Sequence, residues 1–254
     1  LLVASNDWTL LEQWRREGDS EAFGELVSRY AGMVYRTCCR VLGNTSDAQD
    51  LTQECFIQLA RTPDQPRTHL GAWLHRVATT RSLNRLDSEK RRRQREKEYV
   101  ESVDASTATD FSREFQDIID EAIADLPEEV HGVIVEHFLN GSTHEAIAED
   151  AGVSRQTITY RCQKGIELIR KALQRRGVLV PVSALFVALS SGTSEAVPAT
   201  LAANLGRLAL AGPRVLPHGL RTTQTIHWIS KTSTVFSWPT FVGAGIAILL
   251  MGGV

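Results

Sequence analysis

Residues 142–164 read Ser142-Thr-His-Glu-Ala-Ile-Ala-Glu-Asp-Ala-Gly-Val-Ser-Arg-Gln-Thr-Ile-Thr-Tyr-Arg-Cys-Gln-Lys164, and this stretch decides the fold class. Ser142 or Thr143 caps a short helix, and Glu145 sits in its first turn, where the helix dipole favours an acid. Ala146, Ile147 and Ala148 let a second helix cross closely, and Gly152 supplies a left-handed turn. Val153 plugs the corner, and Ser154 caps a second helix whose Ile158 faces inward. Arg155, Gln156, Thr157, Thr159, Tyr160 and Arg161 are left on the outer face. This is the layout of a DNA-binding helix-turn-helix whose second helix enters the major groove by its N-terminal end. Arg and Gln there can read guanine and adenine edges, and Thr can touch a thymine methyl. Lys164, Arg170, Lys171, Arg175 and Arg176 continue the basic face toward phosphates. The plainer alternative is a helical hairpin with a solvated basic face.

Outward from this motif the chain stays helical. Ala22, Phe23, Leu26, Val27 and Tyr30 repeat at helical spacing, and Met33, Val34, Thr37, Cys38, Val41 and Leu42 continue the stripe. Gly43-Asn44 is a stop and Thr45/Ser46 a new cap. The next helix carries Ala48, Leu51, Thr52, Cys55, Phe56 and Leu59 on one side and Asp47, Asp50, Gln53, Glu54 and Gln58 on the other. Residues 62–69 hold two prolines and form a loop, and a helix follows from about Leu70 to about Glu98. Residues 99–112 are rich in Ser, Thr, Ala and Asp and aperiodic, a natural linker. Helices resume at Glu114, break at Pro127 and continue to about Gln174. No period-two run bounded by turns predicts a strand. The expected fold is all-α, with two small helical domains joined by a flexible linker.

The 254 residues carry 28 basic and 30 acidic side chains, but the balance hides a segregation. Residues 98–150 hold fifteen acids and one base, whereas residues 81–97 hold eight bases and three acids, and residues 154–176 seven bases and one acid. Local charge governs binding more than the sum does, so the two basic islands keep nucleic acid in play. The four cysteines (Cys38, Cys39, Cys55, Cys162) make no CxxC pair and no zinc spacing, and they read as reduced thiols. His75, His131, His137 and His144 are scattered and read as helix-surface residues, so no metal is expected. No GxxxxGK[ST], HExxH or GxSxG is present, and no cofactor or enzyme activity is expected. Asp7, Glu12 and Arg15 break any secretory signal, and the opening Leu1 admits a fragment or a start codon read literally.

The second basic island (Arg81, Arg85, Lys90, Arg91, Arg92, Arg93, Arg95, Lys97) extends a helix that follows a loop with Arg61, Arg67 and His69. A basic helix beside a polar loop suits a DNA backbone plus one or two unstacked bases; a solvated face is the alternative. Trp73 reads as a core anchor more than a stacking platform. The end of the chain changes character. Residues 178–212 are rich in Ala, Val, Leu, Ser and Gly, with 178–190 read as an interfacial or packed helix. Residues 232–254 carry no charge, Pro239 sits where a regular helix would start, and Trp228 and Trp238 sit where interfacial aromatics belong. A transmembrane helix over 232–254 is the expectation, with a buried core helix or a poorly folded tail as the alternative.

Several segments resemble one family in order. Ala22-Phe-Gly-Glu-Leu-Val-Ser-Arg-Tyr30 and Asp47-Ala-Gln-Asp-Leu-Thr-Gln-Glu-Cys-Phe56 resemble the first conserved helix and the clamp-binding helix of extracytoplasmic-function (ECF) sigma factors of the sigma-70 family. Gly71-Ala-Trp-Leu-His-Arg-Val-Ala78 with the basic run after it resembles the promoter-melting and −10-reading helix. Leu126-Pro-Glu-Glu-Val130 and the helix-turn-helix resemble the −35-reading domain. Thr79-Thr80 and Asn84 depart from the usual Arg-Asn pair and Asp, which bears on the −10 preference. The resemblance covers roughly residues 10–176. It implies sigma region 2 over 1–98, an acidic linker over 99–113 and sigma region 4 over 114–176. A basic extension over 177–231 and the transmembrane stretch 232–254 would follow, as in sigma factors with a fused membrane-associated segment.

The resemblance also implies roles. Asp47, Asp50, Gln53 and Glu54 would dock on core RNA polymerase, steered by charge complementarity. Arg61, Arg67, His69, Arg81, Arg85, Arg91 and Arg92 would hold −10 promoter DNA. Ser154, Arg155, Gln156, Thr157, Thr159, Tyr160, Arg161 and Lys164 would read the −35 duplex. The acidic linker would run in the polymerase's RNA exit path. The implied partners are core RNA polymerase, promoter DNA, an anti-sigma factor and the membrane. The implied location is the bacterial cytoplasmic membrane, with the DNA-binding domains on its cytoplasmic side. Two alternatives stay open: a membrane-anchored helix-turn-helix regulator that binds operator DNA without polymerase, and a membrane adaptor on a degenerate sigma fold.

Overall fold

Helix α1 (Ala4–Glu17) packs its Trp8, Leu11 and Trp14 onto α2 (Ser20–Leu42), the longest helix of the front half apart from the basic one. Asp19 starts α2 by accepting from the Glu21 and Ala22 amides, and Gly43 ends it in the left-handed region at φ 61°. Asn44, rather than Thr45 or Ser46, caps α3 (Thr45–Arg61), because its side chain reaches the Ser46 and Asp47 amides. The basic helix α4 (Leu70–Lys97) then returns across α2 and α3. Trp14, Phe23 and Phe56 form the centre of this group, with ring centroids 4.4 Å and 6.4 Å apart. Each ring is fully buried, so truncating Phe23 to Ala would cost about 3–5 kcal/mol.

The computed structural model describes residues 4–62, 69–97, 107–190 and 196–213. The second group contains α5 (Thr107–Ala124), α6 (Glu128–Ile134), a π-helical turn (Val135–Leu139), α7 (His144–Ala151) and α8 (Arg155–Arg175). Helix α5 begins at Thr107, earlier than the expected Glu114, and Pro127 sits at the N-cap of α6 where the break was expected. Gly165 lets α8 cross α6 at close range; a Cβ there would lie 2.6 Å from Ile134 and 2.9 Å from Val130. Every described element is helical, in agreement with the all-α expectation. Leu1–Leu216 forms one compact unit, in which the two groups touch; the second unit, Pro217–Val254, lies outside the described residues.

The membrane expectation is corrected. No helix among the described residues is long and apolar enough to cross a membrane. The transmembrane helix, the membrane-associated extension as part of the recognised type, and the membrane location fall with it. The stretch 232–254 on which the expectation rested lies outside the described residues. Where the extension is described, its apolar character serves packing. Helix α9 (Val182–Ser190) buries Leu185 and Leu189 and sets Phe186 edge-to-face against Phe138, with centroids 5.4 Å apart. Helix α10 (Ala199–Ala211) buries Leu201, Leu205, Leu208 and Ala209, one stripe at helical spacing, against α2 and α3. The Trp14 indole N–H donates to the Ala209 carbonyl at 3.0 Å, which ties the extension to the first helix.

Candidate nucleic-acid interface

The helix-turn-helix forms by local chemistry. Thr143 caps α7 by accepting from the Ala146 amide at 3.2 Å. Gly152 turns the chain at φ 63°, and Ser154 caps α8 by accepting from the Thr157 amide at 3.2 Å. Ile158 is fully buried and Val153 packs on the core, so the outer face of α8 is fixed by what lies beneath it. Arg155, Gln156, Tyr160 and Lys164 are exposed, and Tyr160 stands out as a large exposed aromatic. Thr157, Thr159 and Arg161 are half-buried. Arg155 pairs with Glu145 at 2.6 Å and Arg161 with Glu129 at 3.4 Å. Both pairs are exposed on at least one side and worth about 0–1 kcal/mol, so a phosphate can replace either acid.

The front-half residues separate differently. Asp50 and Glu54 are exposed on α3, and Asp47 and Gln53 are half-buried. Arg85 pairs with Asp47 at 2.7 Å and Arg81 with Glu54 at 2.9 Å, while the Arg81 Nε also donates to Gln58 at 2.8 Å. Two expected DNA-binding arginines thus sit on two expected polymerase-binding acids. Arg61, Arg91 and Arg92 are exposed, and Arg67 lies outside the described residues. His69 is half-buried against Gly132, where a Cβ would meet its ring at 2.8 Å. Burial lowers the His69 pKa. Trp73 is buried as a core anchor.

Sequence reasoning missed the seam between the two helical groups. There α2 and α4 meet α5 and α6 through charge and imidazole. Arg40 grips Asp120 bidentately, at 3.0 Å from Nε and 2.8 Å from Nη2. Asp120 is fully buried; burial alone would raise its pKa, but Arg40 and His75 hold it at about 2. His75 Nε2 stands 3.5 Å from Asp120, and His75 Nδ1 stands 3.2 Å from His131 Nε2. Arg76 Nη2 donates to His131 Nδ1 at 3.4 Å and to the Leu126 carbonyl, while its Nε donates to the Ala124 carbonyl at 3.1 Å. Because Arg76 only donates, the His131 proton belongs on Nε2, pointing at His75; the His75 proton then faces Asp120. Both histidines are neutral in this relay, and burial lowers both pKa values. Arg36 adds a bond to the Leu139 carbonyl at 2.9 Å. The available signal was periodic: Asp120 lies on the same helical stripe as Ile119 and Ile123, and a lone acid on a buried stripe demands a buried partner.

A second missed cluster lies behind the recognition helix. The expectation of scattered helix-surface histidines is corrected for His75 and His131, which are buried, while His137 and His144 are half-buried. His75 and His131 meet in the seam, and His137, His144 and Cys162 bring one donor atom each to within 4.8 Å of one another.

With this geometry in view, similarity to known proteins becomes informative. Residues 26–92 match the family model for sigma-70 region 2, which spans α2 from Leu26, α3 and most of α4. The chain is 27% identical over 178 residues to the ECF RNA polymerase sigma factor SigW of Bacillus subtilis, covering 63% of this chain and 92% of that protein. It is 34% identical over 170 residues to the ECF sigma factor SigE of Mycolicibacterium smegmatis, covering 62% of this chain but 65% of that longer protein. It is 29% identical over 182 residues to the ECF sigma-E factor of Haemophilus influenzae, covering 66% of this chain and 95% of that protein. The family match lies on the front helices, and the similarity to ECF sigma factors extends over 170 to 182 residues.

Proposed function

We propose that this chain is an ECF sigma factor of the sigma-70 family: it binds core RNA polymerase, recognises −10 and −35 promoter elements and starts DNA-templated transcription. One observation carries the reading. A region 2 match on α2–α4 and, after it, an independently capped helix-turn-helix occur in one chain, and the similarity to an ECF sigma factor extends over 178 residues. By this reading the α3 face of Asp47, Asp50, Gln53 and Glu54 docks on polymerase. Arg81, Arg85, Arg91 and Arg92 of α4, with Arg61, Arg67 and His69, hold the −10 strand. Ser154, Arg155, Gln156, Thr157, Thr159, Tyr160, Arg161 and Lys164 face the −35 duplex.

Distance adds a requirement. Elements 25 base pairs apart lie about 85 Å apart along the duplex at roughly 3.4 Å per pair. A compact body of some 200 residues has a radius of gyration near 17 Å, hence a diameter of about 45 Å. The packed unit cannot touch both elements at once. The seam of Arg40, His75, Asp120 and His131 must therefore part, and the described arrangement is the closed state. Run-off transcription with core polymerase tests the reading. Promoter-dependent transcripts that require this chain support it. DNA binding without any polymerase-dependent transcript would favour an operator-binding regulator, and no DNA affinity even with polymerase would favour an adaptor.

A further inference from the structure

We propose that His137, His144 and Cys162 form a binding site for a zinc-class transition-metal ion inside the helix-turn-helix. The three residues come from three elements: the π-helical turn, the first position of α7 and the middle of α8. Their donor atoms lie within 4.8 Å of one another. Around a tetrahedral zinc ion, with bonds of about 2.0 Å to nitrogen and 2.3 Å to sulfur, donors stand roughly 3.3–3.6 Å apart. The cluster needs to close by about one ångström at its widest edge, within the reach of side-chain rotation.

The hydrogen bonds around the cluster already set the imidazoles for coordination. His137 Nδ1 lies 2.9 Å from the Ser142 carbonyl, an acceptor, so its proton sits on Nδ1 and the Nε2 lone pair is open. The Thr159 hydroxyl donates to the Arg155 carbonyl at 3.1 Å, which leaves its oxygen to accept from His144 Nδ1 at 3.3 Å. His144 Nε2 therefore also carries a lone pair, and it is buried without a hydrogen-bond partner. The two rings lie 4.4 Å apart between centroids. An unpartnered buried nitrogen is costly unless something occupies it, and a metal ion is the occupant that two imidazoles and a thiol share. The π-helical turn contributes by carrying His137 to the same side as His144; such turns recur at functional positions.

The donor set selects the ion. Two neutral imidazoles and one thiolate are borderline-to-soft ligands, suited to zinc and unsuited to magnesium or calcium. Burial lowers the His144 pKa, which keeps that ring neutral for coordination. Burial raises the Cys162 thiol pKa, so binding must release the thiol proton as the sulfur–metal bond forms. Three protein ligands leave a fourth position for water, which makes the ion exchangeable rather than a closed structural staple. Its effect is mechanical. One ion would tie α7 and α8 to the turn before them, and through His144 it would fix the Thr159 hydroxyl on the recognition helix.

The test uses the full chain, reduced and stripped with chelator, then titrated with Co2+ as the optical probe and with Zn2+ in competition. The expected result is one Co2+ per chain, with a thiolate-to-cobalt charge-transfer band that Zn2+ abolishes, and a rise in Tm with Zn2+. Cys162→Ser removes the band. His137→Gln and His144→Gln each weaken binding more than tenfold. Cys38→Ser and Cys55→Ser leave it intact. The histidine variants keep the test open should the buried serine impair folding. Binding unchanged in both histidine variants, or a band that survives Cys162→Ser and disappears in Cys38→Ser, would overturn the assignment.

Discussion

Asp120→Asn probes the seam with the smallest change of shape. The substitution keeps the size of the side chain and removes its charge, leaving the Arg40 guanidinium in a place where its side chain is 15% exposed. Burial works against that charge, and Asp120 is the first group that supports it. Removing one partner of a buried pair costs about 3–5 kcal/mol, because the remaining charge is uncompensated. In the open state Arg40 reaches water and the cost vanishes. The closed state should therefore lose roughly two to three and a half powers of ten against the open one, at about 1.4 kcal/mol per tenfold. Small-angle scattering reads this directly. The radius of gyration should rise from near 17 Å toward about 25 Å, the value for two 100-residue bodies well separated. Spin labels on Gln13 and Lys171, both exposed side chains on opposite groups, give the same readout as a distance. If opening limits promoter engagement, the variant's apparent affinity for promoter DNA with core polymerase increases by the change in the open fraction. An unchanged radius and an unchanged label distance, with only a lower Tm, would refute the argument. Asp120 would then serve the fold and not a parting seam.

Acid should open the same seam. His75 and His131 have pKa values below the ordinary value of 6.5 because they are buried neutral. Above about pH 6.5 neither state takes up protons and the seam keeps its full strength; below it the open state protonates and the closed state resists, at up to about 1.4 kcal/mol per histidine per pH unit. Asp120 contributes in a lower window, as pH falls from its ordinary 3.8 toward about 2, so scattering at pH 5 against pH 7.5 isolates the histidines, and equal radii would count against them. Asp50→Lys should abolish capture of core polymerase while far-ultraviolet circular dichroism stays unchanged; retained capture would remove the docking face from α3. Arg155→Ala should cost roughly 1–3 kcal/mol at particular −35 base pairs, whereas Lys171→Ala should weaken all sequences about equally. An equal loss across all sequences for Arg155→Ala in a competition binding assay would make Arg155 a phosphate contact.

The helix-turn-helix was legible because its determinants are local. Thr143, Gly152 and Ser154 each act within three or four residues, and Ile158 declares its inward face by spacing. The acidic face of α3 and the length of α4 were legible for the same reason. The seam was not, since Arg40 and Asp120 stand 80 residues apart and His75 and His131 56 apart. A sequence states that Asp120 sits on an apolar stripe, but not which cation answers it. The metal cluster failed on the same ground: His137, His144 and Cys162 have no motif spacing, and only the turn before α7 and the crossing of α8 bring them together. The transmembrane expectation rested on 232–254, outside the described residues, whereas the apolar stretch before it packs on the protein. Long runs of Ala, Val and Leu fit a bilayer and a protein groove equally well by composition. Leu201, Leu205 and Leu208 are buried where α10 packs against α2 and α3, and the Trp14 indole N–H donates to the Ala209 carbonyl beside them.

The α3–α4 pairs connect the two ends of the proposed activity. Asp47 with Arg85 and Glu54 with Arg81 join side chains that the sequence assigned to different partners. All four are partly exposed, so each pair contributes about 0–1 kcal/mol and breaks easily. A basic surface that draws Asp47 and Glu54 away would release Arg81 and Arg85 at small cost, just where an unwound phosphate backbone would pass. Phosphate contacts then gain counterion release for each arginine freed. Without that surface Arg81 and Arg85 stay covered by acids of their own chain. In the proposed reading, docking on polymerase and gripping the −10 strand are coupled through these two weak ion pairs, and each event eases the other.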